Sequence, residues 1–209
     1  MANSIGKLHV ITDIVLQSEF SHVELAKMAI RGGADTIQFR QKAGSTREMI
    51  ANSLQIKQLC MEAGASFIVN DRIDVAIASE ADGIHLGQDD FPIPLARKLL
   101  GEDKIIGGSA AVLEEAVKCY QEGANYVGFG PVFPTTSKED AGPVSGIDKL
   151  KEAVEAVPVP IVAIGGITPE NAQDVLEAGA MGIAVISTVC CAPDPEAATQ
   201  KLFETLQRS

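Results

Sequence analysis

Tryptophan is absent from this 209-residue chain, and seven phenylalanines and two tyrosines supply all its aromatic area. The interior must therefore be aliphatic, filled by Val, Ile, Leu and Ala. Basic residues are also scarce: 17 Lys and Arg stand against 28 Asp and Glu, a net charge of −11. That balance lacks the basic face of a nucleic-acid binder and disfavours docking on anionic membranes. No apolar run approaches the ~18 residues of a membrane span. The first residues lead straight into a strand-like segment, so no signal peptide is expected. Four cysteines, Cys60, Cys119, Cys190 and Cys191, show no metal-type spacing. They are expected as free thiols in a reducing cytoplasm.

Hydrophobic residues make up 46% of the chain and charged residues 22%, a globular composition with enough apolar side chains for a sizeable core. Short β-branched runs alternate with longer segments of helical period. The strand candidates are 8–12, 36–40, 66–70, 83–86, 105–109, 126–130, 160–164 and 182–186. Helical patterns fall near 22–32, 46–63, 71–79, 92–100, 112–122, 146–156, 170–178 and 194–207. Ser45 before Thr46 and Glu48, Pro169 before Glu170, and Pro195 before Glu196 supply helix starts. A punctuation mark recurs between helix and next strand: Gly33-Ala34, Gly64-Ala65, Gly123-Ala124 and Gly179-Ala180, with a diverged copy at Glu80-Ala81. Glycine there suits the left-handed residue that ends a helix. Eight βα units whose strands are almost continuously apolar predict a parallel sheet covered on its outer face. The reading is an α/β fold, a single (β/α)8 TIM barrel over residues 1–209, near the lower size limit for that architecture. One long connection, 131–145, stands out and is expected to serve as a lid or binding loop.

In such a barrel the chemistry lies where strands end and βα loops begin. Gln38, Arg40 and Lys42 alternate with Phe39 and Gln41, so they share the interior face of the second strand, where two cations demand an anion. The third and fourth strands end in Asn70-Asp71 and Gly87-Gln88-Asp89-Asp90. Asp71 with Asp89 or Asp90 could hold a hard cation such as Mg²⁺, which takes one or two carboxylates and completes its shell with water and phosphate. Taken alone, Asp71 reads as a cap for the third helix. Ser109 could bind a substrate oxygen or cap the fifth helix. Thr135, Thr136, Ser137 and Lys138 make a phosphate-friendly loop, and Gly165-Gly166 and Ser187 follow the seventh and eighth strands, where barrels of this kind bind phosphate. Of the three histidines, His22 reads as a surface residue of the first helix and His85 as a satisfied barrel residue. No nucleophilic triad is evident.

These pieces together resemble the thiamine phosphate synthase family. The matching segments are Gln38–Lys42, Val69–Asp71, Ala81–Asp90, Gly128–Thr135, Ala163–Ile167 and Ile186–Ser187, in family order across nearly the whole chain. The resemblance implies a transferase of thiamine biosynthesis. It would join hydroxymethylpyrimidine diphosphate to hydroxyethylthiazole phosphate, releasing pyrophosphate through a dissociative pyrimidinylmethyl cation. Carried over, Gln38, Arg40, Lys42 and Asn70 would hold the pyrimidine diphosphate, and Asp71 and Asp90 would hold Mg²⁺. Ser109 and Lys138 would complete the diphosphate site. Thr135, Ser137, Gly166, Ile186 and Ser187 would bind the thiazole phosphate. Ser137 replaces the family's usual Thr and keeps the hydroxyl. A related thiazole tautomerase depends on a histidine just after the fifth strand, where this chain has Ala110-Ala111. An acid–base epimerase and a non-catalytic binding barrel are the remaining alternatives. The implied partners are small molecules, with no nucleic acid and no membrane. Whether the chain forms a homo-oligomer is left open.

Overall fold

A computed structural model describes residues 5–137 and 142–207. Eight parallel strands close into a barrel in chain order, each hydrogen-bonded to its sequence neighbours and the last to the first. They are β1 (Leu8–Thr12), β2 (Thr36–Phe39), β3 (Ser66–Asn70), β4 (Gly83–Leu86), β5 (Ile105–Ala110), β6 (Tyr126–Phe129), β7 (Ile161–Ile164) and β8 (Gly182–Val185). Between them run α1 (His22–Arg31), α2 (Thr46–Ala63), α3 (Ile73–Ala78), α4 (Ile93–Leu100), α5 (Leu113–Gln121), α6 (Gly146–Ala156) and α7 (Ala172–Glu177). After β8 come the four-residue helix α8 (Ser187–Cys190), which the periodicity does not anticipate, and α9 (Pro195–Gln207). Among the described residues no helix is long and apolar enough to cross a membrane.

Strand alternation sorts the side chains into two layers. Leu8, Val10, Ile37, Phe67, Val69, Ile84, Leu86, Ile106, Val127 and Phe129 point outward and pack with the apolar faces of the helices. The inward set begins at the floor with bulky groups such as Ile68, Ile105, Tyr126 and Val162. It becomes polar toward the strands' C-terminal ends, where Gln38, Asn70, His85 and Ser109 stand. One aliphatic shell therefore supports the fold while the upper interior is left for chemistry.

The Gly-Ala repeat proves to be a recurrent helix ending. Gly33, Gly64, Gly123 and Gly179 all have φ between 73° and 100°, and Glu80 takes the same left-handed place at φ 51°. In every copy the following alanine N–H reaches back five residues, as Ala34 does to Ala29 and Ala124 to Cys119, which is the Schellman closure. The next side chain ties the floor together. Asp35 accepts from the backbone of Leu8, Asp82 from that of Phe67, and Asn125 from that of Ile106.

Two local expectations are corrected. His22 is buried, 2% exposed, because it opens the inward stripe His22, Leu25, Ala26, Ala29 of α1. Its Nδ1 lies 2.8 Å from Thr12 Oγ1 and its ring meets Phe39 edge-on. The third helix starts at Ile73 instead of 71, with Arg72 at the cap position and no side-chain capping bond. Asp71, at φ 63°, stands one residue before that cap position, and its carboxylate accepts from Lys42 instead.

Candidate active site

The βα loops and strand ends enclose a cavity of about 340 Å³ at the C-terminal face of the barrel. Its size is that of a small-molecule site. From β2 and the chain beyond it come Gln38, Arg40 and Lys42; from β3, β4 and β5 come Asn70, Asp71, Asp90 and Ser109. The opposite wall holds Thr135, Ser137, Gly166, Ile186 and Ser187. These twelve residues singled out from the sequence thus line one space. Lys138 lies outside the described residues.

The anion that the buried end of β2 demands is Asp13. The register pairs Thr12 with Phe39, so the next residues, Asp13 and Arg40, stand level across the β1–β2 seam. Arg40 donates to Asp13 Oδ2. The other Asp13 oxygen accepts from Val15 N at 2.8 Å and Leu16 N at 3.3 Å, turning the β1 loop around the carboxylate. Asp13 went unread in the sequence. Its signal was the one used elsewhere, a charged residue just past a strand end, but its partner emerges only from the strand register.

Lys42, half-exposed, donates to Asp71. Burial is the main force pushing the Asp71 carboxyl above the ordinary carboxylate range, and the neighbouring Asp90 adds to it while Lys42 opposes. Asp90 in turn accepts from Gly87 N at 2.7 Å. Two carboxylates from adjacent loops thus crowd together beside a cation, offering hard oxygen donors whose mutual repulsion a divalent ion would relieve. Among the described residues no cluster of three or more His, Cys, Asp or Glu is arranged to hold a metal. A pair is nevertheless sufficient for an ion that also draws on water and phosphate oxygens.

Ser109 does not cap α5, whose cap residue is Val112. Its hydroxyl lies 2.9 Å from His85 Nε2, and Gln88 holds its carbonyl at 2.6 Å. His85 is satisfied on both ring nitrogens, as expected, and it also lines the cavity beside Ser109. On the opposite wall Ser137 Oγ lies 2.7 Å from Ser187 Oγ, and Thr135 Oγ1 accepts from Ser137 N at 3.2 Å. The glycine pair after β7 does more than clear a path to the backbone. A Cβ on Gly165 would sit 2.5 Å from Pro131 Cα, and one on Gly166, at φ 66°, 2.5 Å from the Pro134 carbonyl oxygen. The glycines let the loop after β6 fold down onto β7, where Val132 N and Phe133 N bond to Ile164 O and Gly165 O.

A family model described as thiamine monophosphate synthase matches residues 8–189. A thiamine-phosphate synthase of Salinibacter ruber is 54% identical over 198 residues, covering 95% of this chain and 87% of that one. Another, from Methanocella arvoryzae, is 49% identical and covers 93% of this chain and 92% of its own length. The solved structure of thiamine phosphate pyrophosphorylase from Pyrococcus furiosus superposes with a TM-score of 0.89 at 46% identity, over 97% of this chain and 96% of that one. A 3-hexulose-6-phosphate synthase, at 20% identity and a TM-score of 0.71, shares the fold alone.

Proposed function

This chain belongs to the thiamine monophosphate synthase family, and from that premise we propose that it is a transferase of thiamine biosynthesis that condenses 4-amino-2-methyl-5-hydroxymethylpyrimidine diphosphate with 4-methyl-5-hydroxyethylthiazole phosphate. The products are thiamine phosphate and pyrophosphate. The observation that carries the reading is the meeting in one cavity of the twelve described residues that the family resemblance implies.

The roles divide by wall. Arg40, Lys42 and Lys138 hold the diphosphate as cations, with Gln38 and Asn70 orienting the pyrimidine and Ser109 completing the diphosphate site. Asp71 and Asp90 would hold Mg²⁺, which when bound would supply positive charge to stabilise the leaving diphosphate. Thr135, Ser137, Gly166, Ile186 and Ser187 receive the thiazole phosphate. The carbon–oxygen bond to the diphosphate breaks to leave a pyrimidinylmethyl cation, and the thiazole nitrogen then donates its lone pair to that carbon. Such a reaction asks the protein for stabilised negative charge and for alignment. It asks for neither a nucleophile nor a strong base, which agrees with a site of cations, amides and hydroxyls. The cavity wall carries Ala110 and Ala111 where the tautomerase reading needs an imidazole. We place the protein in the cytoplasm on its four free thiols, three of them buried.

The test is formation of thiamine phosphate from the two substrates. Equimolar pyrophosphate should appear, turnover should stop on chelation, and Mg²⁺ should restore it. Absence of product with both substrates and Mg²⁺ present overturns the assignment, and turnover indifferent to EDTA overturns the metal's role.

A further inference from the structure

Two buried rings face each other across the barrel interior, below the residues assigned to substrate. The register sets His85 on β4 level with Gly107 on β5, and Gly107 level with Tyr126 on β6. A side chain at Gly107 would fall 2.3 Å from the Tyr126 ring and 2.5 Å from His85 Nδ1. Glycine in the middle strand therefore lets the outer two side chains meet over it. The Tyr126 hydroxyl lies 3.0 Å from His85 Nδ1, and His85 Nε2 lies 2.9 Å from Ser109 Oγ. Gly128, level with Ser109, keeps the second contact open, because a Cβ there would stand 2.9 Å from His85 Cε1.

Counting hydrogens gives this row a direction. Tyr126 is buried, 1% exposed, and burial pushes its phenol pKa up, so the hydroxyl keeps its proton. Among the described residues His85 Nδ1 is the hydrogen-bond partner of that hydroxyl. A buried O–H without an acceptor is costly, so the phenol donates to Nδ1. Nδ1 then carries no hydrogen, and the neutral imidazole holds its one hydrogen on Nε2. That hydrogen goes to the Ser109 oxygen. The serine's own hydrogen is left to turn into the cavity. With the opposite tautomer Ser109 would donate to His85 and present lone pairs to an anionic substrate.

We propose that Tyr126 is a positioning residue that fixes the His85 tautomer and so makes Ser109 a hydrogen-bond donor to the departing diphosphate. This deepens the function proposed above and rests on its placement of Ser109 at the diphosphate. The polarity would matter most as negative charge grows on the leaving oxygens.

The experiment reads the tautomer and the kinetics separately. The chain has three histidines, so ¹⁵N-histidine NMR resolves their rings, and His85→Gln identifies the signals of interest. In the wild-type protein His85 is expected as the Nε2–H form. Tyr126→Phe, which keeps the ring and removes the hydroxyl, should release that tautomer. It should lower kcat about tenfold, the loss of one well-aimed hydrogen bond, with KM for the thiazole phosphate unchanged. In a Ser109→Ala background the same substitution should have no further effect on kcat. An Nδ1–H form in the wild type overturns the proposal, whether or not Tyr126→Phe folds. So does an undiminished Tyr126→Phe effect when Ser109 is already alanine. Wild-type turnover in Ser109→Ala, with His85 still Nε2–H, instead overturns the assignment of Ser109 to the diphosphate.

Discussion

Replacing Asp13 by Asn removes a charge and almost no volume, which makes it a clean probe of the β1–β2 seam. The Asp13 side chain is 2% exposed and that of Arg40 11%, so both charges have left water. The Asn carbonyl oxygen can keep the bonds from Val15 N and Leu16 N, and what disappears is the counter-charge. Removing one partner of a buried ion pair costs about 3–5 kcal/mol, most of it for the charge left behind. Arg40 borders the cavity, which puts Asp13→Asn near the lower end, about 3 kcal/mol. For a chain of this size that corresponds to a fall in Tm of about 6–12 °C. Adding Arg40→Met to the same chain removes the stranded cation and should recover at least half of the loss. Inorganic pyrophosphate should stabilise Asp13→Asn more than the wild type, because the orphaned guanidinium gains an anion. Urea unfolding with and without pyrophosphate measures both effects. If Asp13→Asn unfolds within about 1 kcal/mol of the wild type, or the double variant is the less stable of the two, the seam is not held by charge as described here.

Further consequences can be tested with the same protein. His9 and His22 are both depressed from the ordinary 6.5 to about 4, chiefly by burial. The unfolded chain therefore binds protons there that the folded chain refuses. Their contribution, roughly 3 kcal/mol each, is present above pH 6.5 and is lost as pH falls toward 4. Tm should decline across that window, and less steeply in His22→Asn; an identical slope in the variant would count against it. Gly166→Ala should lose about 1 kcal/mol or more of stability and raise KM for the thiazole phosphate, because alanine is strained at positive φ and collides with the Pro134 carbonyl. Unchanged KM and Tm would refute that. Lys138→Ala should lower kcat about 100-fold or more at constant Tm. It is a better probe than Arg40→Ala, which also strands Asp13, and wild-type turnover would remove Lys138 from the site.

The barrel was legible because its periodicities are local: an apolar run, a helix, a Gly-Ala stop, repeated. The candidate site was legible for a related reason. In a parallel barrel every strand ends on the same face, so residues such as Asp71 and Ser187, over a hundred positions apart, can be assigned to one place from strand phase alone. What escaped were relations between strands. Asp13 faces Arg40, and Tyr126 reaches His85 over Gly107, only because of the register, which no single segment encodes. His22 was misassigned because one histidine at a helix start says little about which way the first turn faces. Its spacing to Leu25, Ala26 and Ala29 held the answer.

Closure of the barrel by β1 and β8 bears on how the protein comes into being. The residues proposed for the diphosphate and metal come from β2 through β5 and from Lys138, but Ile186 and Ser187, proposed for the thiazole phosphate, follow β8, the last of the eight strands to leave the ribosome. Until that strand arrives, β7 and β1 have open edges and the cavity lacks one wall. Cys190, whose thiol donates to the carbonyl of Ile11, then joins the two ends of the chain across 179 positions. Completion of the cavity wall and the sealing of the sheet are therefore one event, and a partly made chain has neither.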